Sequence, residues 1–153
     1  MIEPYGTIIK AVLRDFASLN LVIESDSEYQ VTMSGETYSL TISTENGYQP
    51  SIAAHISNNG QKFEIGLSAR ILDEQQFDID MKELSEIKEI YHLDTGKGNP
   101  SVRPSGVYLY VKVAVGQILE FTSKFGHKIR TDNKPFYDEY LSRERALMHG
   151  LGL

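Results

Sequence analysis

The chain has 153 residues, a length that sets one domain, residues 1–153, as the expectation. It contains no cysteine, which excludes a disulfide framework, a thiol nucleophile and thiolate-based zinc or iron–sulfur sites. With 21 acidic against 15 basic side chains the formal net charge is −6, which disfavours general affinity for nucleic-acid backbones.

Residues 1–6, Met-Ile-Glu-Pro-Tyr-Gly, carry neither the basic region nor the apolar stretch of a secretory signal. The longest apolar run, Val107–Val115, is interrupted by Lys112 and is far shorter than the roughly 20 residues of a spanning helix. A soluble, cytoplasmic chain with no membrane contact is the expectation.

The first expected element is a helix. Ile8, Ile9, Val12, Leu13, Phe16 and Leu19 fall on one face at 3.6 residues per turn, and Asn20 can close it in the left-handed conformation. Residues 29–67 then alternate with period two. Tyr29, Val31 and Met33 form the first run, Tyr38, Leu40 and Ile42 the second. Ile52, Ala54 and Ile56 form the third, Phe63, Ile65 and Leu67 the fourth. One buried and one wet face follow from that period. Ser34-Gly35-Glu36, Glu45-Asn46-Gly47 and Asn58-Asn59-Gly60 mark the turns, and Pro50 precedes a strand start. The reading is a four-stranded antiparallel meander.

A second helix is expected from about Asp78 to Tyr91, with Leu84, Ile87, Ile90 and Tyr91 as its apolar stripe. Asp78 or Asp80 would cap it, and Lys82 and Glu86 would pair at i,i+4. Residues 94–106 hold three glycines and two prolines and read as a loop. Residues 107–125 admit two readings. Val107, Leu109, Val111, Val113 and Val115 alternate like a strand that would break at Gly116, whereas Ile118, Leu119, Phe121 and Phe125 continue at helical spacing towards a C-terminal Gly126. A single central helix, apolar nearly all round, is preferred. The last helix runs from about Pro135 to His149, with Phe136, Tyr140, Leu141 and Leu147 inward, and residues 150–153 fray. The fold class is therefore α+β: an N-terminal helix, the meander, and a C-terminal helical region on one sheet face.

Motifs for chemistry are sparse. Gly96-Lys97-Gly98 lacks the spacing of a phosphate loop, since Asn99-Pro100 follow, and no Gly-x-Ser-x-Gly elbow occurs. The four histidines, His55, His92, His127 and His149, include no i,i+4 pair. His92 with Asp94 is a two-ligand fragment better explained as a polar helix end. His55 sits on the wet strand face, with Glu64 as its nearest carboxylate candidate for acid–base work. Asp73-Glu74 and Asp78-x-Asp80 could serve as an acid–base pair or hold a cation, but lack the skeleton of a calcium loop. No metal and no cofactor are expected.

The charge map says more. Residues 73–94 hold eight acids against Lys82 and Lys88, whereas residues 95–153 carry nine bases against five acids. An acidic helix is ordinarily a solvated face. It also steers a basic partner into contact. The candidate partner-binding residues are Asp73, Glu74, Asp78, Asp80, Glu83, Glu86, Glu89 and Asp94. Tyr91 and Arg103 are added as anchors, because Tyr and Arg are enriched at binding hot spots.

The N-terminal helix, the meander through residues 38–48 (Tyr-Ser-Leu-Thr-Ile-Ser-Thr-Glu-Asn-Gly-Tyr), residues 63–73 (Phe-Glu-Ile-Gly-Leu-Ser-Ala-Arg-Ile-Leu-Asp) and the late helix at 117–125 (Gln-Ile-Leu-Glu-Phe-Thr-Ser-Lys-Phe) share a layout. It resembles the small bacterial α+β immunity proteins of polymorphic-toxin and contact-dependent-inhibition systems. The resemblance is one of layout over most of the chain. It implies a non-enzymatic cytoplasmic protein that binds and neutralises a cognate toxin, often a basic nuclease. Two other expectations stand beside it: a secretion chaperone or adaptor holding a protein client, and a small ligand-binding or catalytic domain around His55.

Overall fold

The computed structural model describes residues 5–27, 29–45, 51–91 and 104–152. The N-terminal helix α1 spans Tyr5–Leu13 and buries Tyr5, Ile8, Ile9 and Val12. It is shorter than the apolar stripe predicts. From Arg14 to Leu19 the backbone tightens to a 3₁₀ stretch, broken at Phe16 (φ −121°), and Asn20 ends it in the left-handed conformation (φ 53°). Phe16 and Leu19 still pack on the core, so the stripe survives the change of helix type.

The sheet has five strands, not four, in the order β1-β2-β3-β4-β5, all antiparallel: β1 Val22–Asp26, β2 Gln30–Ser34, β3 Ser39–Glu45, β4 Ser51–Asn58 and β5 Gln61–Glu64. The additional strand, β1, is exposed along its whole length and pairs with β2 through a bulge between Ile23 and Ser25. The inner-face rows are continuous across the sheet. Met33, Leu40, Ile56 and Phe63 form one, and Val31, Ile42 and Ala54 the next. All seven are buried, whereas Tyr29 is exposed. The β4–β5 turn uses Asn59 (φ 50°) and Gly60 (φ 80°), both in the left-handed region that a two-residue hairpin requires. Residues 46, 47 and 50, read as part of a turn and a strand lead-in, lie outside the described residues.

The fourth alternating run is only half a strand. β5 ends at Glu64, and α2 spans Ile65–Leu72. Glu64 sets the switch: its carboxylate accepts from the backbone N–H of Gly66 (2.9 Å) and Leu67 (2.5 Å), satisfying two of the orphan donors of the first turn. Ile65, Ser68 and Ile71 then face inward at helical spacing, and Leu67 is half-buried.

The acidic helix α3 runs Glu74–Tyr91 and starts earlier than predicted. Its cap is Asp73, whose carboxylate accepts from the Gln76 N–H (3.2 Å), rather than Asp78 or Asp80. Among the described residues, Lys82 and Glu86 form no ion pair.

Helix α4 spans Pro104–Phe121 and confirms the helical reading of 107–121. It begins within the stretch read as a loop, with Pro104 at its first position, where the missing N–H is harmless. Val107, Val111 and Val115 form one fully buried ridge; Tyr110, Ala114, Ile118 and Phe121 form another. Valine is stiff in helices, and burial on two faces outweighs that preference. The helix passes into a π turn at Thr122–Gly126, so Gly126 lies inside a wide turn rather than just past a helix end. Tyr38 locks that turn to the sheet: its ring lies against both Gly35 and Gly126.

Helix α5 spans Lys134–Gly150 and buries Tyr140, with Phe136 and Leu147 partly buried. The Tyr140 hydroxyl and Ser68 Oγ share a buried hydrogen bond of 2.9 Å, joining α5 to α2. The Phe63 ring meets Tyr140 edge-on at 5.7 Å.

Helices α1, α2 and α4 cover the inner sheet face, α3 packs on α4, and α5 packs on α2. The fold class is thus α+β, an antiparallel sheet with helices on one face. No helix among the described residues is long and apolar enough to cross a membrane.

Candidate functional site

Helix α3 packs against α4, with contacts at both ends. At one end, Gly106 of α4 lies under Tyr91: a Cβ there would sit 2.4 Å from both Cβ and Cγ of the tyrosine. Nearby, the Lys88 ammonium lies 5.3 Å from the centre of the Tyr110 ring. At the far end, Gln117 Nε2 donates to the Asp80 carbonyl (3.2 Å). Between α3, α4, α2 and strand β4 a cavity of about 710 Å³ remains, within the range of small-molecule sites.

The cavity floor is apolar. Ala54, Ile65, Leu84, Ala114 and Ile118 line it, each nearly fully buried. Five aromatic rings, from Phe16, Phe77, Tyr110, Phe121 and Phe125, add flat apolar surface. Among the described residues, the lining also includes five acidic residues, Glu64, Asp73, Asp80, Glu83 and Glu120, and one basic residue, Lys124.

Three of these carboxylates have structural duties. Glu64 caps α2, Asp73 caps α3, and Asp80 accepts from the Gln76 side chain at 2.9 Å. Glu83 and Glu120 accept no hydrogen bond and form no ion pair among the described residues. Glu120 and Lys124 have the favourable i,i+4 order, yet they do not pair. A π turn begins at Thr122, between the two positions.

The predicted acidic segment therefore divides. Successive helix positions differ by about 100°, which puts Asp80 and Glu83 on the flank near Leu84, and both line the cavity with Asp73. Glu74, Asp78, Glu86 and Glu89 are exposed and do not line it. Tyr91 is half-buried, held against Gly106. Asp94 and Arg103 lie outside the described residues. Sequence reasoning names Glu64 only as a partner for His55 and does not single out Glu120; they come from a strand end and from α4, and only the fold brings them to the cavity lining.

His55 stands on the opposite sheet face. It is cross-strand from Thr41 and Glu64, and it does not line the cavity. Burial, with the Lys62 charge as a smaller cause, lowers its pKa from the usual 6.5. Both oxygens of Glu64 accept from backbone N–H groups at the start of α2, and among the described residues no hydrogen bond joins Glu64 to His55. His92 lies outside the described residues. Among the described residues no cluster of three or more His, Asp or Glu could hold a metal ion.

No protein-family model, curated protein or solved structure matches the chain.

Proposed function

We propose that this chain is a non-enzymatic binding protein, an immunity or inhibitor protein that neutralises a basic toxin by receiving part of it in the cavity between α2, α3 and α4. The observation that carries the reading is the combination of an apolar floor with five carboxylates and one lysine among the described residues. Apolar burial supplies affinity, and the surrounding negative charge selects a basic partner and speeds encounter. The outward acids Glu74, Asp78, Glu86 and Glu89 then act at longer range. They add to the field that attracts the partner without touching it.

The test is the affinity of this chain for a toxin domain encoded beside its own gene. Raising salt from about 0.05 to 0.3 M should weaken binding by roughly tenfold or more, mostly by slowing association. Salt-independent affinity, or a gene neighbourhood without a basic toxin domain, contradicts the proposal.

A further inference from the structure

Resting on that reading, we infer that the group entering the cavity is an arginine side chain of the partner with an apolar residue next to it. The cavity offers what a guanidinium on an apolar stem requires. Its walls are methyl and aromatic groups that cover a hydrocarbon chain, and two of its acidic lining residues, Glu83 and Glu120, have no partner among the described residues. A planar guanidinium stacks on rings, pairs with carboxylates through parallel hydrogen bonds and sheds water more readily than an ammonium.

Lys88, itself outside the lining, lies over the Tyr110 ring at 5.3 Å, and Tyr110 is one of the cavity aromatics, so a ring of the lining accepts a cation on its face. Phe77 and Asp80 are three residues apart on α3, hence neighbours on its surface, so a stacking ring and a carboxylate stand side by side. Among the described lining residues, an anionic occupant would meet five acidic side chains and one basic one, Lys124. A neutral apolar one would leave the charged lining unused.

The probes are hexylguanidinium, hexanol and hexanoate, which share one tail and differ in head charge. Binding is followed on the methyl resonances of Ile65, Leu84 and Ile118 in the full chain. Hexylguanidinium should bind about tenfold more tightly than hexanol, and hexanoate should not bind. The double variant Glu83→Gln, Glu120→Gln should bring the guanidinium down to the level of hexanol while leaving hexanol itself unchanged. That control shows the cavity intact. The capped dipeptide acetyl-Leu-Arg-amide should bind at the same methyls, and acetyl-Leu-Glu-amide should not.

Equal binding of the three hexyl probes overturns the inference but leaves protein docking standing. Hexylguanidinium binding without the arginine dipeptide also overturns it, and assigns the cavity to a small amphiphilic cation. If both cationic probes bind as expected while no basic toxin domain does, the proposed function fails and the cavity chemistry holds.

Discussion

The approach of Gly106 to Tyr91 makes a sharp prediction. In Gly106→Ala the new methyl would lie 2.4 Å from Tyr91 Cβ and Cγ and 2.7 Å from its Cδ1. Carbon atoms pack at about 3.5–4.0 Å, so α3 and α4 must separate by roughly 1 Å locally. Overpacking of this kind costs about 1–3 kcal/mol, and the better helix propensity of alanine returns up to about 1 kcal/mol. A net loss of about 1–2 kcal/mol is expected, or a fall in Tm of roughly 2–8 °C for a chain of this length. Gly116 is the control. It lies in the same helix, and a Cβ there meets nothing within 4 Å, so Gly116→Ala should stabilise by up to about 1 kcal/mol. Both variants are read by urea and thermal unfolding followed by circular dichroism. A Gly106→Ala protein as stable as the wild type refutes the close α3–α4 contact, and with it the geometry that frames the cavity.

The buried Ser68–Tyr140 hydrogen bond should behave as a unit. Tyr140→Phe leaves the serine hydroxyl buried and unpaired and should cost about 1–3 kcal/mol, whereas adding Ser68→Ala should recover much of that loss; additive losses in urea unfolding would contradict the pairing. Stability should also fall at both ends of the pH range. His55 has a folded-state pKa below 6.5, so its contribution is present above pH 6.5 and is lost as pH drops through the folded value; His55→Gln should flatten that part of the acid limb in urea unfolding, and an unchanged limb contradicts the assignment. Burial raises the pKa of Tyr5, Tyr38 and Tyr140 above 10.0, so stability should hold to about pH 10 and decline as pH rises further, and a profile flat beyond pH 10 contradicts it.

The meander was legible because its strands obey the period-two rule with one face in the core. Strand β1 escaped notice for the complementary reason: Val22–Asp26 is an edge strand exposed throughout, so no burial pattern marks it. Helix α2 was hidden by a coincidence of period. Phe63, Ile65 and Leu67 alternate, but only Phe63 belongs to the strand. The available signal is slight: Glu64, two residues before Gly66, caps a stretch holding Leu67, Ala69 and Arg70, and Asp73 caps α3 one helix later. The valine-rich stretch of α4 was read as a helix because apolar residues continue on all sides, and the fold buries it on two faces.

The charge excess of α3 could be counted in the sequence, but its division could not. Which acids face the cavity depends on the rotation of α3 against α4, set by Gly106, Tyr91, Leu84 and Ile87. Glu64 and Glu120 join the site from positions 19 and 37 residues from Glu83, distances that no local pattern bridges.

The central claim is that the cavity side of α3, not its outward side, receives the partner. Two double variants remove the same charge from the same helix: Asp80→Asn with Glu83→Gln at the cavity, and Asp78→Asn with Glu86→Gln facing away. Affinity for the toxin domain encoded beside the gene decides between them. The cavity pair should weaken binding at least about tenfold, chiefly through faster dissociation, and the outward pair less than about threefold, through slower association. Equal losses, or a larger loss from the outward pair, would contradict it.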